Sequence, residues 1–297
     1  MSFDAVVIGL ILKDYNYLKG KKGVPNVSPG GPGFYSSYSY YKLGLKTSLV
    51  TSFNNKDKSL LPNPFKDGSI RIFNSQNSNT AVFKNIYKDN NINYRKQEII
   101  FNNRPIIGFV PKGKIYHFGP ILSEDIDYNL YKKVVKRKGL KILDIQGLTR
   151  ICKNQKIIER INPLIDKLIS GFNILKCDSN ELFFIKNYSK RKKIINYLLD
   201  KGISEVIVTK GFFGSTIYSS QLGKIEIPPF IPNKIIDVTG CGDVYAAIYA
   251  MARQRGYSIY HAGLLASGGS GLKTENVGPL KKSMSLIKKR VKPICEI

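Results

Sequence analysis

Apolar residues fall along the chain in two alternating periods. Phe3 to Gly9 (FDAVVIG) is a nearly unbroken apolar run that stops at glycine, which predicts a buried first strand. A Pro/Gly loop then leads into residues 32 to 44, a predicted helix ended by Leu43-Gly44, and Thr47 to Phe53 (TSLVTSF) predicts a second strand. Asn54 to Ser69, with two prolines, reads as loop, and Asn74 to Thr80 as a turn. From there strand and helix patterns alternate. Strands are expected at 115–118, 141–145, 173–176, 205–209 and 215–219. Helices are expected at 123–138, with Ser123 as N-cap and Asp125 in the first turn, and at 162–170, 179–185, 189–200, 243–255 and 258–268, before a basic C-terminal helix.

Strands separated by helices predict βαβ units. The expected fold is therefore α/β: a three-layer α/β/α sandwich with a mainly parallel central sheet covered on both faces. Segments from about 10 to 25 and from about 70 to 110 alternate polar and apolar residues between turns, which predicts a small β lid beside that sheet. No internal repeat or low-complexity tract divides the chain, so residues 1–297 are expected to form one domain.

Composition narrows the function. With 42% hydrophobic residues the chain can bury a large core. The run from Ala5 to Leu12 is far short of the roughly 20 residues a membrane helix needs, and Asp4 precedes it where a signal peptide would carry basic residues. A soluble, cytoplasmic protein is expected. Cys152, Cys177, Cys241 and Cys295 are widely spaced with no CxxC pair, which argues against a thiolate metal site or a disulfide framework. Two histidines, His117 and His261, cannot build a His-rich metal site and read as structural; no GxSxG nucleophile elbow appears. The net charge of +26 would attract nucleic acid. Its lysines and arginines, however, are scattered over predicted amphipathic helices, where a solvated face explains them, so nucleic acid is an unfavoured partner.

The segment richest in chemistry is Asp237-Val238-Thr239-Gly240-Cys241-Gly242-Asp243. After it, Val244, Ala247, Ile248 and Met251 recur at the spacing of one apolar helix face. A glycine turn thus feeds a buried helix N-terminus, where the N–H groups of Gly240, Cys241 and Gly242 can hold an anion. Asp243 is either an ordinary helix-start carboxylate or a general base beside that anion site.

This segment resembles the second signature of the ribokinase-like (PfkB) carbohydrate kinase family, D-T-x-[GA]-[AG]-G-D followed by a helix of small residues. Val238 and Cys241 depart from the pattern, and both leave the backbone donors in place. Gly30-Gly31-Pro32-Gly33 resembles the family's N-terminal di-glycine signature, which closes on the sugar, with Tyr35 where ribokinases carry Asn. Asp14 falls where the family binds substrate hydroxyls. Asp178-Ser179-Asn180-Glu181 is similar to the N-x-x-E motif, and the resemblance gives Glu181 a magnesium contact through water. Thr209, Gly211 and Gly214 match the T-x-G-x-x-G nucleotide segment. Within the family, Gly31 to Ser36, Thr51 to Asn54 and Asp144 to Arg150 are similar to an archaeal branch that includes myo-inositol kinases. Asp144 to Arg150 also resembles the D-x-N-x-R loop of ketodeoxygluconate kinases, with Gln146 for Asn. Arg150 either pairs with a surface acid or clamps the transferred phosphate.

The resemblance implies ATP-dependent phosphorylation of a hydroxyl on a polyol or sugar, inositol-like by preference. Asp243 would be the base, Asp14, Gly30, Gly31, Tyr35 and Gln146 would hold the acceptor, and Mg²⁺ would accompany ATP. It also implies a monovalent-cation site near Asp237 and Thr239 and leaves a homodimer open. A nucleoside kinase, with Tyr35 or Phe34 stacking on a base, is the alternative within the class; a basic nucleic-acid-binding protein on an inactive kinase scaffold is the alternative outside it.

Overall fold

In the computed structural model, residues 2–18, 25–75, 79–87, 95–101 and 105–295 are described. The parts of the expected lid at 19–24, 76–78, 88–94 and 102–104 lie outside them. The chain opens with β1 (Ser2–Gly9), β2 (Leu12–Leu18), β3 (Asn26–Gly30), α1 (Pro32–Lys42) and β4 (Thr47–Thr51). Next come α2 (Asn63–Lys66), β5 (Ile70–Asn74), β6 (Ala81–Tyr87), β7 (Arg95–Phe101) and β8 (Lys112–Gly119). The middle holds α3 (Tyr128–Val135), β9 (Leu140–Asp144), β10 (Arg150–Lys153), β11 (Lys156–Glu159), α4 (Ile165–Ile169) and β12 (Ile174–Asp178). The chain closes with α5 (Arg191–Asp200), β13 (Glu205–Thr209), β14 (Ser215–Ser219), β15 (Gly223–Ile227), α6 (Cys241–Gln254), α7 (Ile259–Thr274) and α8 (Met284–Cys295).

The main sheet has the order β15-β14-β13-β12-β9-β8-β1-β4-β5. Every pairing from β13 to β5 is parallel, and β14 and β15 add an antiparallel edge. Its central strands are apolar on both sides because helices cover both sides. Ala5 and Val7 of β1 join the core shared with α1, α6, α7 and α8. Val6 and Ile8 point the other way, into the core under α3, α4 and α5. The three-layer α/β/α architecture is thus the one the strand-helix alternation predicts.

A second sheet, of order β10-β11-β7-β6-β2-β3, stands beside the first. The chain crosses from one sheet to the other through Leu10 and Ile11, between β1 and β2. The hairpin β10–β11 joins this sheet through Lys156 opposite Glu98, and it and β15 have no counterpart in the sequence reading. A buried polar chain ties its middle strands: Gln97 Nε2 donates to Asn85 Oδ1 (2.9 Å), and Asn85 Nδ2 to Asn16 Oδ1 (3.1 Å).

Four local expectations are corrected. The helix expected over 123–138 is confined to α3, capped by Asp127 and not by Ser123. Backbone groups of residues 125–127 pair instead with Ile106, and Asp125 turns back to accept the N–H groups of Ile121 and Leu122. The expected loop 54–69 contains a 3₁₀ turn at Asn55–Leu60, capped by the Asn54 side chain, and α2. The helix expected over 162–170 begins only at Ile165, since Asn162 Oδ1 accepts the Leu164 N–H in a side-chain turn (2.9 Å). The helix expected over 179–185 is a single 3₁₀ turn, Glu181–Phe184.

Candidate active site

A cavity of about 570 Å³ opens where the C-terminal ends of β9, β12 and β13 meet the N-terminus of α6, with the second sheet alongside. Such carboxyl-end crevices are where open α/β sheets bind ligands. Asp14, Gly31, Tyr35 and Gln146 line it on the side of the second sheet. Gly240, Cys241, Gly242, Asp243, Arg150, Asp178, Glu181, Thr209, Gly211 and Gly214 also line it. Of the sequence-derived site residues, Gly30, Phe34 and Asp237 do not line it. A Cβ on Gly30 would stand 2.0 Å from Asp14 Oδ2, so the glycine makes room for that carboxylate.

The turn before α6 has the geometry an anion site requires. Gly240 is its N-cap with φ 77°, and a Cβ there would lie 2.4 Å from the Tyr35 ring. Both the left-handed conformation and the close aromatic contact exclude any larger residue. The Cys241 N–H is directed at the Val238 carbonyl (3.3 Å), so the turn closes on itself there. N–H groups in the first turn of a helix lack intrahelical acceptors, and Gly242 and Asp243, which belong to that turn of α6, line the cavity. The Cys241 thiol reaches the Ser270 carbonyl, and burial pushes it up to about 11, so it stays a thiol.

Asp243 sits in this turn with its pKa raised to about 7, first by burial and then by the negative charge of Asp144. Lys176, a hydrogen bond from Ser36 and Lys273 pull in the opposite direction. Behind Ser36 lies His117, wholly buried and within 3.5 Å of the Ser36 hydroxyl through Nε2, while Tyr40 meets its Nδ1 at 3.1 Å. Burial, helped by the charge of Lys176 and opposed by that of Asp144, lowers His117 to about 4 and keeps it neutral. It is the structural histidine that the sequence predicts.

Lys176 is the main functional candidate that sequence reasoning missed. It lies on β12, 6% exposed, with Nζ 2.7 Å from Asp144 Oδ2. A Cβ on Gly242 would stand 2.7 Å from that same Nζ, which puts the ammonium directly against the glycine turn before α6. Burial alone would discharge it, but Asp144, Glu181 and Asp243 together hold its pKa above the ordinary lysine value. The signal was available: a single lysine stands between Leu175 and Cys177 in a central parallel strand whose first four residues, 174–177, are all buried.

Asp178 and Glu181 cap each other. Asp178 Oδ1 accepts the N–H groups of Asn180 and Glu181, and Glu181 Oε2 accepts the Asp178 N–H (2.9 Å). Glu181 Oε1 takes a bond from Arg150 Nη2 (3.2 Å), and its pKa is raised mainly by burial. Arg150 also reaches Glu159 at 3.6 Å, so it both pairs with acids and lines the cavity. Its Nε is buried with no hydrogen-bond partner among the described residues, a donor available to an incoming oxygen. No group of three or more His, Cys, Asp or Glu side chains able to hold a metal forms among the described residues. Both Glu181 oxygens being used by protein donors, the site fits Mg²⁺ held by phosphate oxygens and touching protein through water.

A glycine turn at a helix mouth, a carboxylate of raised pKa and flanking cations on a parallel sheet define an α/β kinase of the ribokinase-like fold. The profile of the pfkB family carbohydrate kinases matches residues 76–284, more than half of the chain, and the chain belongs to that family. A pyrophosphate-dependent kinase of the ribokinase family, solved with a pyrophosphate analogue and myo-inositol, is similar over 93% of this chain and 97% of its own (TM-score 0.80, 19% identity). Arabidopsis thaliana ribokinase, solved with ribose and ATP, covers 98% and 99% (TM-score 0.77, 17% identity). A nucleoside kinase of Methanocaldococcus jannaschii is 36% identical over 104 residues. That match spans about a third of each protein, 34%. No helix among the described residues is long and apolar enough to cross a membrane.

Proposed function

We propose that this kinase transfers the γ-phosphoryl group of ATP to a hydroxyl of a small polyhydroxylated acceptor, an inositol-like polyol or a sugar. The observation that carries the reading is Asp243, a carboxylate of raised pKa at the mouth of an anion-binding helix turn, in one cavity with Asp14. Asp243 orients the acceptor hydroxyl and takes its proton as the oxygen attacks. The N–H groups of the first turn of α6, the Lys176 ammonium and Arg150 stabilise charge on the phosphoryl oxygens. Asp14 and Gln146 hold the other acceptor hydroxyls, with Gly31 and Tyr35 shaping the wall. Thr209, Gly211 and Gly214, with Phe212 and Phe230 beyond them, accommodate the nucleoside of the donor. Bound Mg²⁺ would neutralise polyphosphate charge, with Glu181 as its contact through water.

A polyol is favoured over a nucleoside because the two aromatic rings expected to stack on a base, Phe34 and Tyr35, are already engaged. Phe34 is buried against Phe65, with ring centroids 5.7 Å apart, and the Tyr35 ring packs under Gly240. The nucleoside reading is supported by a different wall: Leu12, Phe83 and Ile121 give the cavity an apolar side beside Gln97. ADP release with Mg-ATP across inositols, hexoses, pentoses, ketodeoxy acids and nucleosides separates the two. Inositols or sugars should give the highest kcat/KM; a preference for nucleosides reverses the acceptor assignment. Turnover with pyrophosphate in place of ATP would overturn the donor.

A further inference from the structure

Lys273, near the C-terminal end of α7, is a lysine whose side chain has no exposed surface. Its Nζ donates to two oxygens of one residue, the Asp237 carbonyl and Asp237 Oδ2, each at 2.8 Å. It also lies 5.7 Å from the centroid of the Tyr35 ring, against which Gly240 packs. The Asp237 carboxylate also accepts two backbone N–H groups: Oδ1 that of Thr239 in the same loop (2.8 Å) and Oδ2 that of Gly278, beyond the end of α7 (3.1 Å). A carbonyl oxygen, a carboxylate oxygen and an aromatic face are the ligands a monovalent cation takes in a protein interior. Here the cation they surround is covalently part of the chain.

The family resemblance implies a monovalent-cation site at Asp237 and Thr239, and the residues present do not fit one. A potassium ion at Asp237 would have to share its oxygens with an ammonium already bonded to both. We infer that Lys273 is a tethered substitute for that ion: a positioning residue that holds the loop before α6 in its anion-binding form and makes the enzyme independent of added monovalent cations. The coupling runs through a short path. Asp237 begins the turn, and Ser270 and Cys241, one on α7 and one at the start of α6, exchange hydrogen bonds alongside it (3.0 and 3.7 Å). Thr274, next to Lys273, accepts the backbone N–H groups of Ile236 and Asp237 (2.7 and 3.1 Å). The end of α7 is thus sewn to the loop that presents Gly240 to Gly242.

This inference rests on phosphoryl transfer occurring at that turn, and its test separates the two. The wild-type enzyme is assayed in tetramethylammonium buffer, with potassium, sodium or ammonium then added at constant ionic strength, and its melting temperature is followed in the same series. Turnover and melting temperature should be unchanged by the small cations; severalfold stimulation, or a rise in melting temperature specific to one of them, overturns the inference. Lys273→Ala leaves a cavity of the size of the ammonium and its stem. Its kcat should fall at least tenfold with KM for ATP less affected, and potassium or methylammonium should restore part of the loss and raise its melting temperature. A Lys273→Ala protein that folds but ignores every cation also overturns the inference. Should that variant fail to fold, the wild-type series still decides. Absence of turnover by the wild-type enzyme with every acceptor would sink the phosphotransfer reading instead, and the melting series would still test Lys273.

Discussion

At the scale of single residues, the site is a balance of buried charges around Asp243. Asp243→Asn keeps the shape and removes the base, so kcat should drop by about a hundred- to ten-thousandfold; near wild-type turnover would end its assignment. The same substitution has a stability signature. The native carboxyl titrates near 7 and its ordinary value is 3.8, so folding favours the protonated form. The wild-type protein therefore loses stability progressively as pH rises from about 4 to about 7. The Asn variant escapes that loss, and its gain in melting temperature over wild type should be larger at pH 8 than at pH 4. In the free enzyme, kcat/KM should rise with pH along a limb centred near 7 as Asp243 ionises. Because Lys176 lowers the pKa of Asp243, Lys176→Met should move this limb to higher pH and lower kcat by about a hundredfold or more. A limb that stays in place would show that Lys176 does not act on Asp243.

At the scale of elements, the decisive piece is the junction of a glycine turn with α6. Helix α6 buries Val244 to Ala252 completely or nearly so, which fixes its axis against the sheet. Its N-terminus can then reach the cavity only if the chain before it turns through a left-handed residue in contact with Tyr35, and Gly240 is that residue. Gly240→Ala should cost about 1–2 kcal/mol for the backbone conformation alone, and the contact with Tyr35 should displace the turn as well. A lowered melting temperature and a raised KM for ATP are expected, and an unchanged KM would show that the turn does not touch the donor. Much of this junction was legible in the sequence, since glycine spacing and apolar period are local properties. The neighbouring expectation of a helix at 123–138 was not, because Ile106, far away in sequence, competes for the backbone of residues 125–127.

At the scale of the molecule, two sheets meet over one cavity. The larger supplies Asp144, Lys176, Asp178 and Thr209 from adjacent strand ends, and the smaller supplies Asp14, Phe83 and Gln97. We take the smaller sheet as a lid that closes on the acceptor and excludes water. Acceptor together with a non-hydrolysable ATP analogue should slow amide hydrogen exchange in β2, β6 and β7 more than either ligand alone. Equal protection by ATP analogue alone would argue against closure on the acceptor.

By itself, the sequence determined the α/β class, the run of parallel strands, and the glycine turns with Asp243 and Asp14 at their sides. These depend on period, on residue size and on backbone freedom, all of which are properties of short segments. Tertiary structure alone decided what the charges do. Lys176 and Asp144 are separated by 32 residues, and Lys273 and Asp237 by 36; the first pair meets because β12 lies beside β9, the second because the end of α7 packs on the loop before α6. A buried lysine has the same letter as a solvated one, and in a chain with 47 lysines and arginines only burial and partners distinguish the few that shape the site.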